Sequence, residues 1–169
     1  MHSDPLFVDL QIALENVEPV RKILIDHLAE GQATLTEPQR VLLDAGLAQM
    51  TQSIYTAAEN ILLKIAASID GGAPAKDDNW HAALLARMSR AFPARRPAVL
   101  SANSLVALNK LRAFRHVVRN NYAHELNHGR LVDNVKVAIN LLPMLIADIN
   151  ELERYMSSED QAAKPPTHE

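Results

Sequence analysis

Between Thr36 and Gly72 the chain is committed to one long helix, which constrains everything packed around it. Thr36-Glu37-Pro38-Gln39 has the form of a capping box: threonine as N-cap, proline inside the first turn, and glutamine three residues after the cap. Leu43, Leu47, Met50, Ile54, Ala57, Ile61, Ile65 and Ser68 then recur at three- and four-residue steps for about seven turns. Asp70-Gly71-Gly72 ends the run. Such a stripe is stable only when other elements cover it.

The flanking sequence supplies candidates of the same kind. Asp4-Pro5 opens a helix to about Leu28, with Leu6, Leu10, Ala13, Val17, Val20, Leu24 and Leu28 toward the core and Pro19 expected to kink or split it. Asp77-Asp78-Asn79 caps a short helix from Trp80 to about Ala91, and FPARRPAVL reads as an irregular connection. Ser101 caps a fourth helix carrying Leu105, Leu108, Leu111, Phe114, Val118 and Tyr122, closed by Asn127-His128-Gly129. A last helix runs from about Leu131 to Met156, broken or bent near Pro143. The expected fold is all-α, an up-and-down bundle of four long helices and a short one. It forms one domain over residues 1–156, followed by a disordered tail over 157–169.

Composition excludes several functions. No cysteine is present, which removes disulfides and thiolate chemistry. No apolar run approaches the roughly 20 residues that span a bilayer, and MHSDPLFVDLQ lacks the form of a signal peptide. The expectation is a soluble cytoplasmic protein with no membrane partner. Phosphate-cradling glycine loops and His-Glu-x-x-His are absent from the sequence, and Asp77-Asp78 is explained by capping.

Charge is unevenly placed. The net charge is −3, yet Lys110 to Arg130 holds five cations against one acid, and Leu85 to Leu100 holds four cations and no acid. On a helical wheel Arg112, Arg115 or His116, and Arg119 form a stripe that continues through Asn120 to Ala123 or His124. A helix's outer face is ordinarily just solvated, but a solvated face mixes signs. This one is almost wholly cationic, and Arg115 and Arg119 repel unless an anion neutralises them. Arginine grips phosphate with a two-pronged fork, and histidine moves protons near neutral pH. Arg119 and His124 lie about 140° apart on an ideal helix, so they share no face. They converge where the helix loosens near Asn127–Gly129 or where Arg119 curls along the surface, or they work with equivalents from a second chain. His116, Asn120 and His124 step by four, and spacing alone leaves open which histidine faces a reacting phosphate.

Arg119-Asn120-Asn121-Tyr122-Ala123-His124 fits the Arg-x4-His signature of HEPN domains, helical bundles that include metal-independent ribonucleases. IYTAAENILLKIAASID, NWHAALLARM, RPAVL and LRAFRHVVRNNYAHEL together resemble the HepT-like ribonuclease toxins, over about residues 8 to 155. The resemblance implies an endoribonuclease toxin of a toxin–antitoxin system, working as a homodimer on RNA. Arg119 then binds the scissile phosphate, His124 transfers protons, and Asn120 orients either one. Tyr122, Arg115, His116 and Arg112 support RNA binding. No metal or other cofactor is implied, because RNA supplies its own 2′-hydroxyl nucleophile. The implied partner is a nucleotidyltransferase-type antitoxin. Related toxins carry a tyrosine two residues after the histidine as an AMPylation site, whereas this chain has Leu126 there. Control then falls to Tyr122 or to complex formation. The alternative is a non-catalytic module binding RNA, a nucleotide or a protein partner through the same helix.

Other residues have plainer readings. Tyr55, Glu59 and Asn60 are expected to satisfy neighbouring helices, with Glu59 pairing Arg112 or Arg115 if it faces the basic stripe. Trp80 reads as a packing anchor, and His81 as a cap or an RNA contact. Arg87, Arg90, Arg95 and Arg96 widen an RNA path or meet an acidic partner.

Overall fold

The computed structural model describes residues 4–31, 34–121 and 123–162. Five α-helices and one 3-10 turn make up its regular structure: α1 (Pro5–Ala29), α2 (Glu37–Ser68), α3 (Trp80–Met88), α4 (Ala102–Asn120), the turn Ala123–Glu125, and α5 (His128–Ala162). α2 is central. It packs on α1, α5, α4 and α3, while α5 closes the bundle against α1 and α4. No helix is long and apolar enough to cross a membrane among the described residues.

Local chemistry sets most starts. The Asp4 carboxylate accepts from the Leu6 N–H at 2.9 Å and Pro5 follows it, so α1 begins there. At α2 the Gln39 side-chain oxygen accepts the Thr36 N–H at 2.9 Å, the reciprocal half of the expected box. The Ser101 hydroxyl accepts from the Ser104 N–H at 3.3 Å to open α4. α2 stops where Gly71 turns left-handed at φ +84°, with the Gly72 N–H returning to the Ala66 carbonyl at 3.2 Å. A Cβ at Gly71 would also stand 3.1 Å from Arg95 Nη1, so only glycine suits this corner.

Burial explains why α2 carries two stripes. Leu47, Ile54, Ile61 and Ile65 form the expected one; Thr51, Tyr55, Ala58, Leu62 and Ala66 form a second, equally buried. A helix touched on four sides needs more than one apolar face. Each fully buried leucine, such as Leu10, Leu62 or Leu108, contributes about 1.5–3 kcal/mol relative to exposure.

Several boundaries differ from expectation. Of the alternatives at Pro19 and Pro143, a kink or a break, the break is excluded: α1 and α5 each run on through the proline, and the turns on either side are buried at Val17, Leu24, Leu142 and Leu145. Tertiary contact there outweighs the lost backbone bond. α3 ends at Met88 rather than near Ala91, since the chain turns back so that the Val99 and Leu100 N–H groups reach the Met88 carbonyl. α4 ends at Asn120, well before Asn127. Asparagine is a weak helix former, and Asn121 leaves the helix with extended backbone (φ −112°, ψ 148°). Asn127 does the opposite of closing a helix: its side-chain oxygen accepts the Arg130 N–H at 3.0 Å at the start of α5. At its other end α5 passes Met156 and runs to Ala162.

Candidate functional site

The outer face of α4 and the first turn of α3 enclose a cavity of about 430 Å³. From α4 it is lined by Arg112, Arg115, His116, Arg119 and Asn120; from the α2–α3 connection and α3 by Asp77, Asp78, Asn79, Trp80, His81 and Ala82. The cationic stripe of the sequence is therefore one wall of a concave site. Opposite faces of α4 do opposite jobs, since Leu108, Leu111 and Phe114 are buried in the core.

Beneath the cavity a chain of hydrogen bonds runs inward from α4. Arg115 Nη1 donates to His81 Nε2 at 2.8 Å, and His81 Nδ1 contacts the Glu59 carboxylate. Tyr55 donates its hydroxyl proton to the same Glu59 oxygen at 2.7 Å. Arginine can only donate, so His81 Nε2 must accept and its proton sits on Nδ1, aimed at Glu59. Glu59 is almost wholly buried, and a lone carboxylate there would be costly. Two donors offset that cost, and Arg115 is held in place from below. Trp80 stacks on the His81 ring with centroids 3.8 Å apart and planes inclined by 30°.

This relay is what the sequence reading missed. Glu59 does not bond Arg112 or Arg115 directly; it reaches Arg115 through His81. The local signal was Tyr55 and Glu59 at four-residue spacing in an apolar helix. Asn60 on the same helix is exposed.

Burial raises the Tyr55 phenol well above its ordinary value of 10.0, and the carboxylate it bonds raises it further, while Arg115 and Arg112 pull weakly the other way. With the folded value above the unfolded one, this contribution is complete below the ordinary value and is lost as pH rises beyond it. We expect Tyr55 to ionise only as the bundle unfolds. Ultraviolet absorbance of tyrosinate, followed with helical circular dichroism through an alkaline titration, checks this. Full ionisation with the helices intact would contradict it, and Tyr55→Phe should remove the late step.

On the exposed rim, Asn120 Nδ2 donates to His116 Nε2 at 2.9 Å, so that nitrogen is unprotonated and the ring is held along the helix. Arg119 lines the cavity beside them. His124 does not line it: it lies in the 3-10 turn beyond the end of α4 and is exposed. The helix does loosen between Arg119 and His124, at Asn121 rather than near Asn127–Gly129. Tyr122 lies outside the described residues. Leu126 is half-buried and packs against the core.

The second basic segment has a different role. Arg96 is fully buried in a two-pronged ion pair with Asp70, Nε to Oδ1 at 2.7 Å and Nη2 to Oδ2 at 2.8 Å. Arg87 donates to the Gly72 carbonyl at 2.6 Å, and Arg95 to the Ile69 carbonyl at 3.0 Å. These arginines satisfy carbonyls and a carboxylate around the C-terminal end of α2, which a helix end leaves unpaired. Of the four, Arg90 alone has no side-chain hydrogen bond of this kind among the described residues, and it is exposed.

The model of the HepT-like protein family matches residues 46–156, from within α2 to the last third of α5, and so takes in every element of the site. No curated protein and no solved structure matches the chain. On a match that spans more than half of its length, the chain belongs to the HepT-like family.

Proposed function

We propose that this protein is a metal-independent endoribonuclease, the cytoplasmic toxin of a toxin–antitoxin pair. The observation that carries the reading is the gathering of Arg112, Arg115, His116, Arg119 and Asn120 on one wall of a cavity, in a HepT-like chain. Arginine forks match phosphate oxygens, and a histidine beside them supplies proton transfer at neutral pH. In the reaction an imidazole takes the proton of a ribose 2′-hydroxyl, and that oxygen attacks the adjacent phosphorus. The bond from phosphorus to the 5′-oxygen breaks, and that oxygen collects a proton. The products are a 2′,3′-cyclic phosphate and a 5′-hydroxyl. Arg119, with Arg115 fixed from below, stabilises the charge that builds on the phosphoryl oxygens.

His124 is the family's motif histidine, and it reaches the phosphate from a second chain when two α4 helices line one cleft of a homodimer. Of the two histidines that line the cavity, His81 has both ring nitrogens engaged by Glu59 and Arg115, which leaves His116, on α4, as the candidate within one chain. Neutralisation falls to a nucleotidyltransferase-type antitoxin, and the packed Leu126 points to complex formation or to Tyr122 as the control. His124 lying outside the cavity favours one other reading, a non-catalytic module that holds RNA, a nucleotide or a partner protein on the same wall. Expression separates the two. Induced in a bacterial host without antitoxin, the wild-type chain is expected to arrest growth and leave RNA fragments ending in cyclic phosphate. Normal growth and intact RNA, with the protein accumulating in folded form, would reject the ribonuclease.

A further inference from the structure

We infer that the α3–α4 cavity receives one unpaired nucleotide of single-stranded RNA, its base against Trp80 and its phosphate on the arginines of α4. The choice of RNA rests on the ribonuclease reading; the rest stands on the cavity. Its two walls differ in chemistry. The α4 wall contributes Arg112, Arg115 and Arg119, and the facing wall contributes Trp80 with Asp77 and Asp78. A bare anion suits the first wall and is repelled by the second. A nucleotide suits both, because its phosphate is anionic while its base is a flat ring edged with N–H donors that carboxylates accept.

The two walls are also tied together. His81 bonds Arg115 through Nε2 at 2.8 Å and stacks its ring on Trp80 at 3.8 Å. One imidazole, anchored on buried Glu59, therefore joins the base platform to the phosphate clamp. Lys76 Nζ stands over the indole at 5.7 Å, and a lysine this exposed is easily displaced by a base. A volume of about 430 Å³ lies in the range of pockets that take one small ligand, such as a single nucleotide. A base in a duplex is stacked on both faces and must leave the helix to reach Trp80, whereas an unpaired base is already free to do so.

Trp80 is the chain's one tryptophan, so emission excited beyond the tyrosine absorption reports this ring alone. The full chain is titrated with a short single-stranded 2′-O-methyl RNA, which lacks the attacking hydroxyl and stays uncut. Saturable quenching of Trp80 is expected, with the same strand in duplex form binding at least about tenfold more weakly, the scale of one base–aromatic stack. Trp80→Leu should weaken binding of the labelled strand about tenfold, and Trp80→Phe should restore most of it. Binding that leaves Trp80 emission unchanged, or equal affinity for duplex, overturns the assignment. Adenosine monophosphate binding as tightly as the strand also overturns it, since the ligand is then a free nucleotide. The two readings fail separately. Quenching with single-strand preference beside intact cellular RNA keeps the subsite and removes the ribonuclease; RNA cleavage with a silent Trp80 does the reverse.

Discussion

Arg119→Ala is expected to lower RNA cleavage by about 10²–10³-fold and to abolish growth arrest while leaving the fold intact. The magnitude is that of removing one preorganised donor from the charge that develops in a transition state. Stability should hold because Arg119 is exposed on the last turn of α4, where surface substitutions stay within about 0.5 kcal/mol. Growth curves, total RNA integrity and helical circular dichroism on the purified variant give the three readouts. Arg119→Lys tests the fork itself: lysine keeps the charge and loses the planar pair of donors, so cleavage should recover only in part. Histidine substitutions assign the proton carrier. Silent His124→Ala with active His116→Ala places the chemistry in a shared dimer cleft, and the reverse places it in the cavity of one chain. A fully active Arg119→Ala would remove the motif from the mechanism.

The second large effect concerns the frame of the site. Arg96→Ala leaves the Asp70 carboxylate buried without its partner and strips the carbonyls of Arg90 and Pro97, each bonded by Arg96 Nη1 at 3.0 Å. Breaking one side of a buried pair costs about 3–5 kcal/mol. For a domain of this size that lowers the thermal midpoint by on the order of 10 °C. The pair also holds the tight turn Phe92–Arg96, where Ala94 sits at φ 60°, a left-handed backbone that costs a non-glycine residue about 1–2 kcal/mol. That turn links α3 to α4, so its loosening should weaken RNA cleavage as well as stability. Arg90→Ala, on an exposed neighbour, is the control and should stay within about 0.5 kcal/mol. Equal thermal midpoints for Arg96→Ala and wild type would show that the pair contributes nothing net.

The fold was readable because its causes are local. Asp4, Thr36 and Ser101 cap helices with side chains that act within three residues, and apolar spacing reports a helix face wherever the partner lies. At Pro19 and Pro143 the same reading left a kink or a break open, and the break is what buried neighbours prevent. Arg112, Arg115, His116, Arg119 and Asn120 were legible as one polar stripe, since helical periodicity alone puts them on one side of α4.

What faces that stripe was not legible. Arg115 meets His81 across 34 positions, His81 meets Glu59 across 22, and Arg96 meets Asp70 across 26. By sequence Arg87, Arg95 and Arg96 read as a second basic segment that widens an RNA path or meets an acidic partner; in the fold they finish the end of α2. The sequence by itself determined the helices, the family signature and which face of α4 is cationic, because each follows from residues a turn or two apart. Only the tertiary structure decided which arginines face the cavity and which are buried, that Trp80 and His81 complete it, and that His124 stands off it. Those outcomes depend on pairing charges and rings from distant segments, and a side chain's partner is set by packing, not by its neighbours along the chain.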